Sequence, residues 1–345
     1  MSATLDLSKK RIIMIHGLAS KPPAKDLHRL WSKCLIENIR LTDPVLGKAI
    51  DSSPGDLLTH TYWANATPHH IEDDRAYVKK LGVQVDKVIA ERKTHKDGFH
   101  VGFGEKLGGF FKERGEDVAK LFTRALTVKD DVAKAFLRET ELYDEDQFIA
   151  DRMRRPLEDE LRHAWDEGKD VALISHSMGT FIAYDVLWRF SHRSVGGFEG
   201  YRKKKVQMFV TMGSPLGDSA IRGFLFSRRH KDGKRPFPTN IQMWHNYSCL
   251  GDVVSHPSTL ASEYFEPMKA VGLFSNKRAL RHLAIDYDNL HNPFEVVTHA
   301  GNKKVKEKRN PHKSYGYLVQ PRLGSWTSDF LRGKLKLEGA KGSTR

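Results

Sequence analysis

The chain has 345 residues, of which 39% are hydrophobic and 29% charged, and it carries a formal net charge of +14. That length and apolar content suit one large α/β domain with an insertion or two modest domains, and no apolar run approaches the roughly 20 residues that a membrane-spanning helix needs. The opening Met-Ser-Ala-Thr-Leu-Asp-Leu-Ser-Lys-Lys lacks the apolar core and cleavage site of a secretory signal, so a cytoplasmic location is expected.

In chain order, the first strong strand signal is Arg11–Ile15, followed by Leu57–Trp63. The stretch from about Ile71 to Glu145 breaks the strand-helix rhythm, and it reads as a helical cap or lid insertion (71–145). Within it Gly98, Gly102, Gly104, Gly108 and Gly109 interleave with Phe99, Phe103, Phe110 and Phe111, ahead of an amphipathic stretch bearing Val118, Leu121, Phe122 and Ala125. Such a segment suits a mobile lid or an apolar platform for an acyl chain, and ordinary core packing of the same side chains is the alternative. Its glycines have the wrong spacing for a dinucleotide fingerprint.

From Asp146 to Trp165, the residues Ile149, Met153, Leu157, Leu161 and Trp165 recur four apart, which puts one apolar stripe on a helix; Pro156 is positioned to kink it. The apolar run Val171–Ser175 then stops at Ser177. Ser175 and Gly179 flank that serine two positions away on either side, and small residues there leave room for a sharp strand-to-helix turn that lifts a hydroxyl clear of the sheet. Ser175 stands where a Gly-x-Ser-x-Gly pattern has its first glycine. Further strands are expected at Val206–Met212, Ile241–Tyr247 and His282–Tyr287, and a frayed tail at 334–345. Strands alternating with helices predict a mostly parallel sheet with helices on both faces.

A serine hydroxyl needs a base within hydrogen-bond reach and a carboxylate to orient that base. Asp252 lies in the turn after Ile241–Tyr247, and His312 in a loop after the last predicted strand, giving the order Ser, acid, His. With Ile15-His16-Gly17-Leu18, Ser175-His176-Ser177-Met178-Gly179, Gly213-Ser214-Pro215-Leu216, Gly251-Asp252-Val253-Val254 and His312 with Ser314-Tyr315, the chain resembles the α/β-hydrolase superfamily, in particular its lipase-like serine esterases. The resemblance covers most of the chain outside the insertion. It implies Ser177 as nucleophile, Asp252 as acid and His312 as base, with the backbone N–H groups of Met178 and Leu18 as the oxyanion hole and no cofactor or metal.

Rivals for these roles are present among seventeen histidines. His256, His291 and His299 also lie near or beyond Asp252; Asp286, Asp288 and Asp218 are alternative acids. His176 is expected to point to the other side of the turn in a packing role, and His16 to support the oxyanion loop. His69, His70, Glu72, Asp73 and Asp74 cluster without a recognisable metal spacing and read as a polar loop. Cys34 and Cys249 read as buried thiols.

The positive charge attracts acidic partners without choosing among them. Its clusters at Arg202–Lys205, Arg228–Arg235 and Lys303–Arg309 are each expected in loops, and no zinc-finger spacing or RNP-like motif supports specific nucleic-acid binding. The expected function is hydrolysis of a carboxylic ester or thioester, a small acyl ester or a lipid, through an acyl-enzyme. The alternative is a non-catalytic module of the same scaffold that binds an acidic partner or an anionic lipid surface.

Overall fold

The computed structural model describes residues 5–18, 21–53, 55–66, 74–99, 131–229, 235–255, 258–273, 283–300 and 303–335. Six strands form one all-parallel sheet: β1 (Lys10–Ile15), β2 (Leu58–Thr61), β3 (Asp170–His176), β4 (Met208–Met212), β5 (Trp244–Cys249) and β6 (Ala284–Leu290). Their order across the sheet is β2-β1-β3-β4-β5-β6. Each matches a segment expected from the sequence to within a few residues at either end.

Parallel strands covered on both faces must be apolar on both, and β3 and β4 are indeed buried along nearly their whole length. Alternate residues feed two cores. Ile13, Ile15, Val171, Leu173 and Phe209 pack on one face, and Ile12, Met14, Ala172, Ile174 and Val210 on the other. The second face is covered by α1 (Ala24–Thr42), α3 (Arg75–Thr94) and the late helices α7 (Ser314–Leu318) and α8 (Pro321–Leu331), with α2 (Pro44–Asp51) against α1. The first face carries α4 (Asp131–Glu145), α5 (Gln147–Asp166) and α6 (Met178–His192).

Helix α5 is the apolar stripe read from the sequence. Met153, Leu157, Leu161 and Trp165 are buried, and each contributes on the order of 1.5–3 kcal/mol of transfer free energy. Asp146 caps it, accepting from the N–H groups of Phe148 at 2.9 Å and Ile149 at 3.1 Å. The helix runs unbroken through Pro156.

The flanks of the stretch expected as a cap are layers of the fold. Leu81, Val85, Val88 and Ile89 of α3 belong to the core beneath α1, and Tyr143 of α4 belongs to the core beneath α5. Phe99 packs against the second core, its ring 6.1 Å from that of His291. Phe103, Phe110 and Phe111, the amphipathic stretch behind them, and the tail from 336 onward lie outside the described residues.

The basic run Lys303–Arg309, expected as a loop, is instead a strand. It is β8, paired antiparallel with β7 (Glu295–Ala300) in a separate two-stranded sheet. Its Lys-rich composition hides it from any search for apolar alternation. Among the described residues no helix is long and apolar enough to cross a membrane, and Cys34 and Cys249 are free and buried.

One buried carboxyl gives the fold a pH dependence. Asp185 on α6 accepts from the Tyr143 hydroxyl at 3.1 Å and from the Phe226 N–H at 3.2 Å, and burial pushes its pKa up to about 7 against the pull of Arg154. The unfolded chain releases this proton near 4, so between about pH 4 and 7 the folded state holds more protons and stability falls as pH rises. Asp185→Asn should flatten that slope. The check is thermal unfolding of both proteins at pH 5 and pH 7; an unchanged difference in Tm between the two pH values would remove Asp185 as its source.

Candidate active site

The chain runs to one side of β1 to form β2 and then returns to place β3 on the other side, so the sheet order switches between β1 and β3. In open α/β sheets the crevice beyond the carboxyl ends of strands at such a switch is where ligands bind. Leu18 follows β1 there, and Ser177 follows β3.

Ser177 has φ 54° and ψ −130°, a left-handed conformation that a non-glycine residue adopts only when its surroundings impose it. They do so through glycines. A Cβ on Gly179 would lie 2.4 Å from the carbonyl oxygen of His16, and one on Gly17 would lie 2.4 Å from Cβ of Ser177. The turn therefore presses directly on the end of β1. Ser175 fills the position of the missing glycine from within the strand, donating its hydroxyl to the Val210 carbonyl of β4 at 2.6 Å.

Three of the expected residues meet. His312 Nε2 lies 2.9 Å from Ser177 Oγ, and its Nδ1 lies 2.9 Å from both carboxylate oxygens of Asp252. A carboxylate accepts only, so Nδ1 carries the proton and Nε2 is left to accept from the serine. The Asp252 side chain is wholly buried, whereas that of His312 keeps 20% of its surface exposed. Burial alone would raise the Asp252 pKa; the neighbouring His312, its hydrogen bond and that of Tyr317 outweigh burial and hold the carboxyl below its usual range.

Residues not singled out from the sequence hold these groups in place. The Tyr317 hydroxyl on α7 donates to Asp252 Oδ2 at 2.5 Å and accepts from the Cys249 N–H at 2.9 Å. The Asn292 amide donates to the carbonyls of Pro311 at 2.8 Å and Lys313 at 2.9 Å, clamping the loop on both sides of His312. A Cβ on Gly213, whose φ is +55°, would stand 2.9 Å from Asp252 Oδ2 and 3.1 Å from His312 Nδ1, so the glycine of the Gly-Ser-Pro-Leu segment leaves the space these two groups fill.

His176 differs from expectation. It does not point away from the site: its Nε2 donates to the His312 carbonyl at 2.8 Å and its ring lies 4.8 Å from the His312 ring. Burial holds it well below the usual histidine pKa, so it is a neutral positioning group. His16 accepts from the Trp63 N–H through Nε2 at 3.1 Å, donates from Nδ1 to the Gly17 carbonyl at 2.7 Å and stacks on Trp63, which fixes the loop that carries Leu18.

The rivals sit elsewhere. Asp286 accepts from Asn246, Thr259 and the Leu260 N–H and organises the loop after β5. Asp288 is exposed on β6, Asp218 accepts from the Ile221 N–H, and His299 is on β7 opposite Lys304. His291 lies in a separate cleft beside Phe99 and Arg92. Asp74 caps α3 through the Ala76 N–H. His69, His70, Glu72, Asp73 and His256 are outside the described residues, and among the described residues no group of three His, Cys, Asp or Glu side chains is arranged to hold a metal ion.

A cleft of about 110 Å³ opens onto Ser177 and His312 and is walled by Leu18, Leu27, Trp31 and Tyr315. Met178 begins α6, where the first N–H groups of a helix have no intrahelical acceptor, and Leu18 borders the same cleft. Comparison of the chain with models of known protein families, with curated proteins and with solved structures gave no match.

Proposed function

We propose that the chain is a serine hydrolase of α/β-hydrolase type that cleaves a carboxylic ester or thioester in the cytoplasm through an acyl-enzyme intermediate. The observation that carries this reading is the unbroken relay Asp252–His312–Ser177, with the serine on a strained turn at the switch point of a parallel sheet.

In this reading His312 Nε2 takes the Ser177 proton as Oγ bonds to the acyl carbon, and Asp252 stabilises the imidazolium without taking its proton. The tetrahedral oxyanion is met by the N–H groups of Met178 and Leu18, each worth roughly 3–4 kcal/mol where such a donor has been removed elsewhere. His312 then protonates the departing alcohol or thiol. Water, deprotonated by the same nitrogen, attacks the acyl-enzyme, and the proton returns to Oγ as the acid leaves.

The test is labelling with a fluorophosphonate. One adduct per chain is expected, mapping to Ser177 by mass spectrometry, and none in Ser177→Ala with its circular dichroism unchanged. An adduct that persists in that variant, or that maps to Ser214 or Ser255, overturns the assignment.

A further inference from the structure

Among the described residues that line the cleft beside Ser177, the side chains of fixed charge are lysines. Lys21 and Lys313 both line it, together with His176 and His312, and none of its described lining residues is an aspartate or glutamate. Both lysines are fixed by the loops that build the site. Lys21 is three residues beyond Leu18 and donates to the Leu18 carbonyl; Lys313 directly follows His312 and is held through its carbonyl by Asn292. Asp252, the carboxylate behind His312, has no exposed side-chain surface and is occupied by His312 and Tyr317. The charge that Lys313 meets instead is the face of the Phe294 ring, 5.8 Å from its Nζ, a far weaker partner than a carboxylate.

Resting on the hydrolase reading above, we propose that the cleft selects esters that carry an anion, a carboxylate or phosphate gripped between the ammonium groups of Lys21 and Lys313 while Ser177 attacks the acyl carbon. The cost of holding these cations is visible in their ionisation. Burial and the charge of Lys313 push Lys21 down to about 7, and burial lowers Lys313 as well. An anion between them favours both charged forms and forms charge-assisted hydrogen bonds in a partly desolvated space, where such contacts are strongest. A neutral ester of the same shape gains none of this. The lysines thus act on substrate choice, through groups remote from the reacting bond but within the same small cleft.

The experiment compares two matched pairs with the full chain at low salt: mono-p-nitrophenyl glutarate against its methyl ester, and butyryl glycerol phosphate against monobutyrin. In at least one pair kcat/KM for the anionic member should exceed that for the neutral one by about tenfold or more, and the pair that responds tells whether the anion sits on the acyl or the alcohol side. In Lys313→Met that ratio should fall to near one, and in Lys313→Arg it should persist. Lys21→Met gives the same readout should Lys313→Met prove unfolded by circular dichroism. Ratios near or below one in the wild type for both pairs overturn the proposal, as does a high ratio left unchanged by loss of either lysine, provided that Ser177 still takes the fluorophosphonate. If neither member of either pair is turned over and Ser177 takes no label, the hydrolase reading itself falls and the anion site with it.

Discussion

Ser177→Ala and His312→Ala should each lower kcat by about six orders of magnitude, and the double variant should be little worse than either alone. The reason is geometric. With Oγ gone there is no nucleophile for the imidazole to activate, and with the imidazole gone the hydroxyl, 2.9 Å from where Nε2 stood, returns to the reactivity of an ordinary alcohol. On the proposed mechanism, residual turnover would come from the backbone donors and substrate binding alone. Steady-state kinetics on an activated ester measure this. A His312→Ala enzyme that keeps a tenth of its activity would transfer the role of base to another histidine, and additive losses in the double variant would mean that the two groups do not act as a unit.

The second large effect belongs to a residue that carries no functional group. In Gly17→Ala the new methyl would stand 2.4 Å from Cβ of Ser177 and 3.0 Å from both Nδ1 and the carbonyl oxygen of His176. Nothing there can swing aside cheaply, since Ser177 is already held at positive φ and Gly179 meets the His16 carbonyl on the other side of the contact. The loop carrying Leu18 must therefore move away from the turn. A displacement on the order of 1 Å costs about 100-fold in rate when it misplaces a group that meets the reacting atoms. We expect kcat/KM to drop by at least that factor. Gly82→Ala is the control: a Cβ there meets no atom within 4 Å, and in a helix alanine is favoured over glycine. Equal activity in the two variants would show that the approach of the Leu18 loop to Ser177 is irrelevant to the reaction.

How much of this was legible in the sequence depends on what kind of signal each feature leaves. Fully buried parallel strands announce themselves by apolar runs, and Val171–Ser175 and Val206–Met212 locate β3 and β4 to within two residues at each end. The order of Ser177, Asp252 and His312 was readable because each follows a strand. The hairpin of β7 and β8 was not, because its second strand reads Lys-Lys-Val-Lys-Glu-Lys-Arg and shows no apolar alternation in the sequence. Asn292 and Tyr317 were equally silent: their work consists of hydrogen bonds to residues 19 to 68 positions away in the chain, and nothing in the local pattern of either records such a partner. Position 176 was visible but misread, since the side of a sharp turn to which a side chain points depends on the loop that packs over it. Here that is the His312 loop, which supplies the carbonyl that His176 holds.

The relay also has a bearing on how the molecule is made. Its two hydrogen bonds close loops of 135 and 60 residues, and no local segment contains a complete set of its groups. The entropy of closing such loops is offset by the parallel sheet, whose pairing of β3 with β4 and β4 with β5 brings the ends of β3 and β5 near each other. Residue 312 is also synthesised after every strand of that sheet. The helices α7 and α8, which complete the second core, come later still, so the hydrogen bonds among Asp252, His312 and Ser177 can form only once nearly all of the described fold has been synthesised.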